Sequence, residues 1–197
     1  MGTDIHQLNV LFDQHGKPLG VEGETIGERV MIDGHAFDVK PFKAIDELVP
    51  YRYYDVFGVL AGVRADYMTL NRVFHTVSNS GSDRYEKLMN EMCLNMSAYP
   101  DGECPFYMND AHSHVWYHPT ELEKGLDFTI SKIDVLIEAS PFKKFNVIFD
   151  MIRDVDDLSD LKNELSKVRE RLTESKYELK KAGASFDNSV IMFYFDS

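Results

Sequence analysis

The sequence predicts an α+β fold: a mixed or antiparallel β-sheet that includes the N- and C-terminal strands, packed with helices, plus a long helical hairpin near 142–182. Three patterns predict it. The chain opens and closes on β-branched and aromatic runs, TDIHQLNVLFD (3–13) and SVIMFYFDS (189–197), which suit pleated, half-buried strands. YRYYDVFGVLAGVRADY (51–67) carries apolar residues on most sides of a helix. Leu158, Leu161, Leu165, Val168, Leu172 and Leu179 follow the alternating three–four spacing of a heptad seam, interrupted only by Ser175.

Taken in order, the first strand is followed by HGKP (15–18), a turn by composition. One face of that strand carries Asp4, His6, Leu8, Val10 and Phe12, polar at its start and apolar beyond. Residues 18–40 alternate loosely and suggest a hairpin turning at Asp33-Gly34. In the 51–67 helix, Gly58 and Gly62 lie one turn apart; each costs about 1 kcal/mol of helix propensity relative to Ala, so close packing is the expected compensation. HTVSNSGSD (75–83) reads as a polar loop whose Ser82 caps a helix with an apolar stripe, Tyr85, Leu88, Met89, Met92 and Met96. Residues 97–111 read as loop.

NDAHSHVWYHPTEL (109–122) reads as a strand running into a short helix, with Thr120 and Glu123 at capping-box spacing and Gly125 as its end. FTISKIDVLI (128–137) mixes strand and helix signals. Phe142, Phe145, Phe149 and Ile152 form one helical stripe before the acidic break at 154–157, and Gly183 is a C-cap for the heptad helix. The whole chain reads as a single domain, 1–197, with 142–182 as a protruding helical hairpin or coiled-coil element. A homodimer through helix 158–179 is the rival use of the seam.

Composition narrows the function. With 21 Lys and Arg against 33 Asp and Glu, the formal charge is −12, which disfavours a nucleic-acid groove binder. No apolar run approaches the roughly 20 residues of a membrane helix. Cys93 and Cys104 form no metal-ligand or disulfide framework, and no signal-peptide pattern is read; the expectation is a cytoplasmic protein. No P-loop, GxGxxG, GxSxG or HExxH is present.

The chemistry concentrates in two pairs. Asp4-x-His6 and His112-x-His114 each project two side chains to one side of a strand, and Trp116, the only tryptophan, follows on the same face as the second pair, with His118 beyond it. Asp4, His6, His112 and His114 together form a donor set suited to zinc or manganese. Such an ion would activate water for phosphoester hydrolysis, with His118 or Asp110 in acid–base work. Used differently, Trp116, Tyr117, Tyr53 and Tyr54 stack on a base while Arg52 and Arg64 hold a phosphate.

MGTDIH, YRYYDVFGVLAGVRAD and DAHSHVWYHPTEL together resemble the signature blocks of a family of small proteins found mainly in phages and prophages. Its members share an MG-x-DIH start, a Y-D-x-F-x-x-L-A-x-V-R helix, an HSH-x-W segment and a C-terminal strand ending in Phe-Asp, here Phe195-Asp196. By position, the resemblance nominates Asp4, His6, Asp55, Arg64, His112, His114 and Trp116. The family's Arg-Gly-x-Pro stretch has no counterpart in FHTVSNSGSD (74–83), so the resemblance implies a ligand contact that is missing or replaced, with His75 or Arg84 as the replacement.

Three functions follow as expectations. The first is a phage-type accessory protein whose pocket, lined by Asp4, His6, Tyr54, Asp55, Arg64, His112, His114 and Trp116, binds a phosphorylated nucleotide-like molecule and sequesters a host defence signal in the host cytoplasm. The second is a metal-dependent phosphoesterase using the four-residue donor set. The third is an acidic protein that dimerises and blocks a host enzyme. Whether a ligand is turned over stays open.

Overall fold

A computed structural model describes residues 5–23, 29–32, 35–38, 44–49, 53–61, 114–139 and 155–195. The first strand forms as β1 (Ile5–Phe12) and turns back into β2 (Pro18–Gly23). Asp13 builds the turn. Its Oδ1 accepts the His15 and Lys17 backbone N–H groups, both at 2.8 Å, and its own N–H donates to the Lys17 carbonyl at 2.9 Å. These bonds, led by that from Lys17, hold its carboxyl below the ordinary value. Gly16 takes the left-handed φ of 75° that the turn requires. β3 (Arg29–Ile32) and β4 (His35–Asp38) pair antiparallel with Ile32 opposite His35, on either side of Asp33-Gly34 as expected.

The mid-chain histidine segment supplies β5 (His114–Tyr117), and the chain's last run supplies β6 (Val190–Phe195). The four-stranded sheet has the order β2-β1-β6-β5, antiparallel at every pairing. The terminal strands are therefore neighbours.

Alternation sorts the sheet's residues onto two faces. Ile5, Leu11, Tyr117, Ile191 and Phe193 share one face, and all belong to the core that also holds Val56, Leu60, Leu126 and Leu165 from the helices. Leu8, Val10, Val190 and Met192 share the other face and are equally buried. Phe37 of β4 covers part of it, edge-on to Phe12 with ring centroids 5.5 Å apart. The sheet is buried on both sides.

The helices are α1 (Tyr54–Ala61), α2 (Pro119–Ala139) and α3 (Val155–Lys181). α2 corrects the short helix expected to end at Gly125. It starts at Pro119, whose fixed φ and missing N–H suit a first helical position, and Thr120 donates its hydroxyl to Asp187 rather than capping the helix. It continues through Gly125 because Leu122, Leu126, Thr129 and Ile133 keep burying one face. That resolves 128–137 as helix.

α3 ends at Gly183 as expected. Gly183 N–H donates to the Lys180 carbonyl at 3.1 Å and Ala184 N–H to the Leu179 carbonyl at 2.8 Å, with Gly183 at φ 78°: a Schellman motif. The seam of α3 does not protrude. Leu158, Leu161, Leu165, Val168, Leu172 and Leu179 are at most 3% exposed, packed in the chain's own core with α2 and the sheet. The antiparallel partner of α3 among the described residues is α2, tied by Arg169 to Glu123 and Asp127 and by Lys162 to Asp134. The seam read as a dimerising surface is thus filled from within. The 142–152 stripe, the Met helix, and the 75–83 and 97–111 loops lie outside the described residues. No described helix is long and apolar enough to cross a membrane.

A polar seam crosses the helix-side face. Glu22 is 1% exposed. Its Oε1 accepts from Asn9 Nδ2 at 3.0 Å and the Ile45 N–H at 2.8 Å, and its Oε2 accepts from the Ala44 N–H at 2.7 Å. Gln7 continues the seam, accepting from the Leu48 N–H at 2.7 Å and donating to the Asp46 carbonyl at 3.2 Å. On α3, Ser175 Oγ accepts the Asp46 N–H at 3.3 Å and donates to the Arg171 carbonyl at 2.8 Å. Arg171 Nη1 reaches the Glu47 and Leu48 carbonyls at 3.2 and 3.3 Å. Residues 44–49 thus lie between sheet and helix with their backbone groups met by side chains from both. Ser175 breaks the heptad because the 44–49 segment crosses α3 there.

Glu22→Gln should lower unfolding free energy in urea titrations by about 2 kcal/mol, since an amide cannot present two acceptor oxygens to three donors. Ser175→Leu completes the heptad yet should destabilise by about 1–3 kcal/mol, because the leucine overpacks the crossing and strips the Asp46 N–H of its acceptor. A stabilised S175L protein in the same titration would refute this account of the break.

Candidate functional site

The sheet register decides which of the predicted residues meet. His6 of β1 stands opposite Tyr194 of β6, and His114 of β5 stands opposite the same tyrosine. Residues 6, 194 and 114 therefore occupy one row across three adjacent strands, on one face. Adjacent strands lie about 4.8 Å apart, so the two histidine positions are separated by about 10 Å. The next row on that face is Leu8, Met192 and Trp116, in which Leu8 and Met192 are buried at 0% and 1% exposure. A polar row at the end of the sheet thus borders an apolar one, matching the polar-then-apolar face read from the first strand. β5 is not beside β1, as a direct pairing of the two histidine strands would need; β6 separates them.

Asp4, Arg64 and His112, with Arg52 and Asp110, lie outside the described residues. Among the described residues no group of three or more His, Cys, Asp or Glu is placed to hold a metal ion; of the four-residue donor set, only His6 and His114 fall within them.

Tyr54 and Asp55 open α1, and the sequence expectation that this helix packs across the histidine strands needs correcting as to side. Val56, Val59 and Leu60 belong to the helix-side core, so α1 lies on the face opposite the His6–Tyr194–His114 row. Tyr117 holds it there. Its phenol, 0% exposed, donates to the Leu60 carbonyl, and its ring meets Phe193 with centroids 6.5 Å apart. Tyr117 is a core residue and does not stack on a ligand. Burial pushes its hydroxyl well above the usual value.

Tyr53, the other proposed stacking residue, lines a different recess, an open groove of about 620 Å³ with Asp160, Asn163, Glu164, Ser166, Lys167 and Glu170. Burial, then the neighbouring Glu164 carboxylate, raises its hydroxyl. His118 lies past the end of β5, its Nδ1 donating to the Ser189 carbonyl at 3.1 Å. Four strand positions beyond His114, it is about 13 Å from the row and serves the sheet–helix junction. Tyr194 is the site position that sequence reading missed. Its alternation within SVIMFYFDS was visible, but which residues it would face was not.

The chain matches no protein-family profile, no curated protein and no solved structure.

Tyr117→Phe should cost about 1–2 kcal/mol at neutral pH by leaving the Leu60 carbonyl without its donor. The raised phenol also makes wild-type stability alkali-sensitive. The neutral phenol's contribution is intact below the unfolded-state value near 10.0 and is lost as pH rises beyond it, where the unfolded chain releases the proton first. Denaturation curves at neutral and strongly alkaline pH should therefore converge for wild type and Y117F.

Proposed function

We propose that the row formed by His6, Tyr194 and His114 is the floor of a small-molecule site, and that its ligand is phosphorylated and nucleotide-like. One observation carries this reading: three residues from the beginning, middle and end of the chain fall into one polar row beside the Trp116 row, at the end of a sheet otherwise buried on both faces. A few convergent polar groups set against apolar walls are the makeup of a small-molecule pocket. Imidazole nitrogens bind phosphate oxygens by hydrogen bonding, and an indole offers a stacking surface to a base. Arg64, nominated by the family resemblance, is the phosphate-binding guanidinium of this reading.

The resemblance to phage proteins supports the biological half: an accessory protein that sequesters a host signalling nucleotide in the host cytoplasm. Sequestration and hydrolysis differ in what leaves the protein. A sequestering protein releases its nucleotide intact on denaturation; a phosphoesterase releases products.

Trp116 is the only tryptophan, so intrinsic fluorescence reports this face alone. Titration with nucleoside triphosphates and cyclic dinucleotides should change its emission saturably. His6→Ala and His114→Ala should each weaken binding by roughly tenfold, the equivalent of about 1.4 kcal/mol per lost charge-assisted contact. Native mass spectrometry of freshly purified protein should show an added mass that dissociates as an intact nucleotide. An unresponsive Trp116 together with a ligand-free mass would remove this reading.

A further inference from the structure

Residues 44–49 belong to no helix or strand, yet they bury Ala44, Ile45, Leu48 and Val49 to 3% exposure or less. Their backbone groups bond to side chains, and three of those side chains hold two groups each. Glu22 accepts the Ala44 and Ile45 N–H groups. Gln7 accepts the Leu48 N–H and donates to the Asp46 carbonyl. Arg171 donates to the Glu47 and Leu48 carbonyls. A ladder frays one bond at a time from its end; here the loss of one anchor frees two residues, and the pairs overlap at Leu48. The segment is therefore built to leave all at once.

The sheet-side anchors do not depend on the segment. Gln7 Nε2 donates to Asn9 Oδ1, and Asn9 Nδ2 to Glu22 Oε1, both at 3.0 Å. This relay spans β1 and β2 and stays tied when 44–49 is lifted away. The helix-side attachments are longer. Ser175 and Arg171 hold the segment at 3.2–3.3 Å, against 2.7–2.8 Å for the N–H bonds to Glu22 and Gln7. A recess of about 310 Å³ lies along that junction, lined by Ala44, Asp46, Glu174, Ser175, Tyr177 and Glu178. Water thus reaches the longer bonds without any movement of the sheet. Segments with few ladder bonds and wet hydrogen bonds are the ones that open below the global unfolding free energy.

We propose that residues 44–49 form a strap that detaches as one unit, baring the Gln7–Asn9–Glu22 relay, while the four-stranded sheet, α1 and the α2–α3 pair stay folded. The opening exchanges two backbone donors for water at a buried carboxylate. It takes place on the helix side of the sheet, the face opposite the His6–Tyr194–His114 row, and does not depend on the ligand reading.

The test is native-state hydrogen exchange on the full chain, followed amide by amide by NMR at low urea. Ala44, Ile45, Asp46 and Leu48 should share one protection factor, lower than that of the slowest amides in β1 and β6. Glu22→Gln should lower all four by one common factor of about 30, although Glu22 bonds only two of them. Should that variant fail to fold, Ser175→Ala replaces it. Loss of the Asp46 acceptor should then lower the same four together by roughly three- to tenfold. Tyr117→Phe separates the strap from the whole. The Tyr117–Leu60 bond survives strap opening, so this variant should speed the slowest β1 and β6 amides about tenfold and leave the four strap amides unchanged. Strap amides that accelerate in Y117F, or that are as slow as the sheet, exchange only through global unfolding and overturn the proposal. A change confined to Ala44 and Ile45 in E22Q, or to Asp46 in S175A, means independent bonds and overturns it as well.

Discussion

Insertion of β6 between β1 and β5 is the constraint on which the described structure depends. β1 ends its hairpin with β2 on one side and has no other way to reach the mid-chain segment; β6 joins both through antiparallel ladders. That single placement makes a surface with two buried faces. It supplies Ile191 and Phe193 to the helix side and Val190 and Met192 to the other. It also sets Tyr194 between two histidines that the chain keeps far apart. A strand that is apolar on both sides suits a central position, and β6 is of that kind from Val190 to Phe193. Closing the loop between the first and last strands is entropically unfavourable, but the cost grows only logarithmically with length. The apolar area that the ladder buries on two faces offsets it.

The helix side of the sheet is not purely apolar, and its exceptions form a connected set. Gln7, Asn9 and Glu22 stand on the face that β1 and β2 turn toward α3, where uncompensated polar groups are expensive. They are tolerated because residues 44–49, a segment without regular structure, bring backbone donors that also need partners. Each side satisfies the other. Because half-satisfied polar networks are worse than an apolar core, the seam fixes where the 44–49 segment lies along α3, with Ser175 as its mark on the helix. Such a fixed crossing sets the start of α1, only a few residues further on.

Legibility in the sequence followed the range of the interactions involved. The β1–β2 turn, the position of the β3–β4 connection, the Gly183 cap and the α3 heptad are decided within a few residues of chain, and each is where local pattern puts it. Gly125 misled because its propensity cost is local while the buried stripe of Leu122, Leu126, Thr129 and Ile133 is not. The α3 seam was legible as a seam but not as to its occupant, since α2 and a sheet satisfy a heptad as well as a second copy does. For the site, period-two alternation correctly grouped His114 with Trp116, and His6 with Leu8. Which side of the sheet receives α1 is a tertiary fact that no periodicity encodes, so Tyr54 and Asp55 were read into a cleft that their helix faces away from. Tyr117 was read as a recognition residue because Tyr-Trp neighbours look alike in sequence, and only its parity with Phe193 reveals it as core.

The electrostatics of the chain bear on what the row can hold. A formal charge of −12 repels a phosphorylated ligand, and salt confines that repulsion to within roughly 8 Å of the surface. Binding therefore needs a local positive charge strong enough to reverse that field at the site. A neutral imidazole supplies hydrogen bonds and no net charge. A guanidinium supplies one full unit in a fixed fork that matches phosphate geometry. The acidity that argues against a nucleic-acid surface thus sharpens the demand on a small anion site. A site on this molecule that takes a phosphorylated ligand, as proposed for the row of positions 6, 194 and 114, therefore has to concentrate its cationic character within a few ångströms.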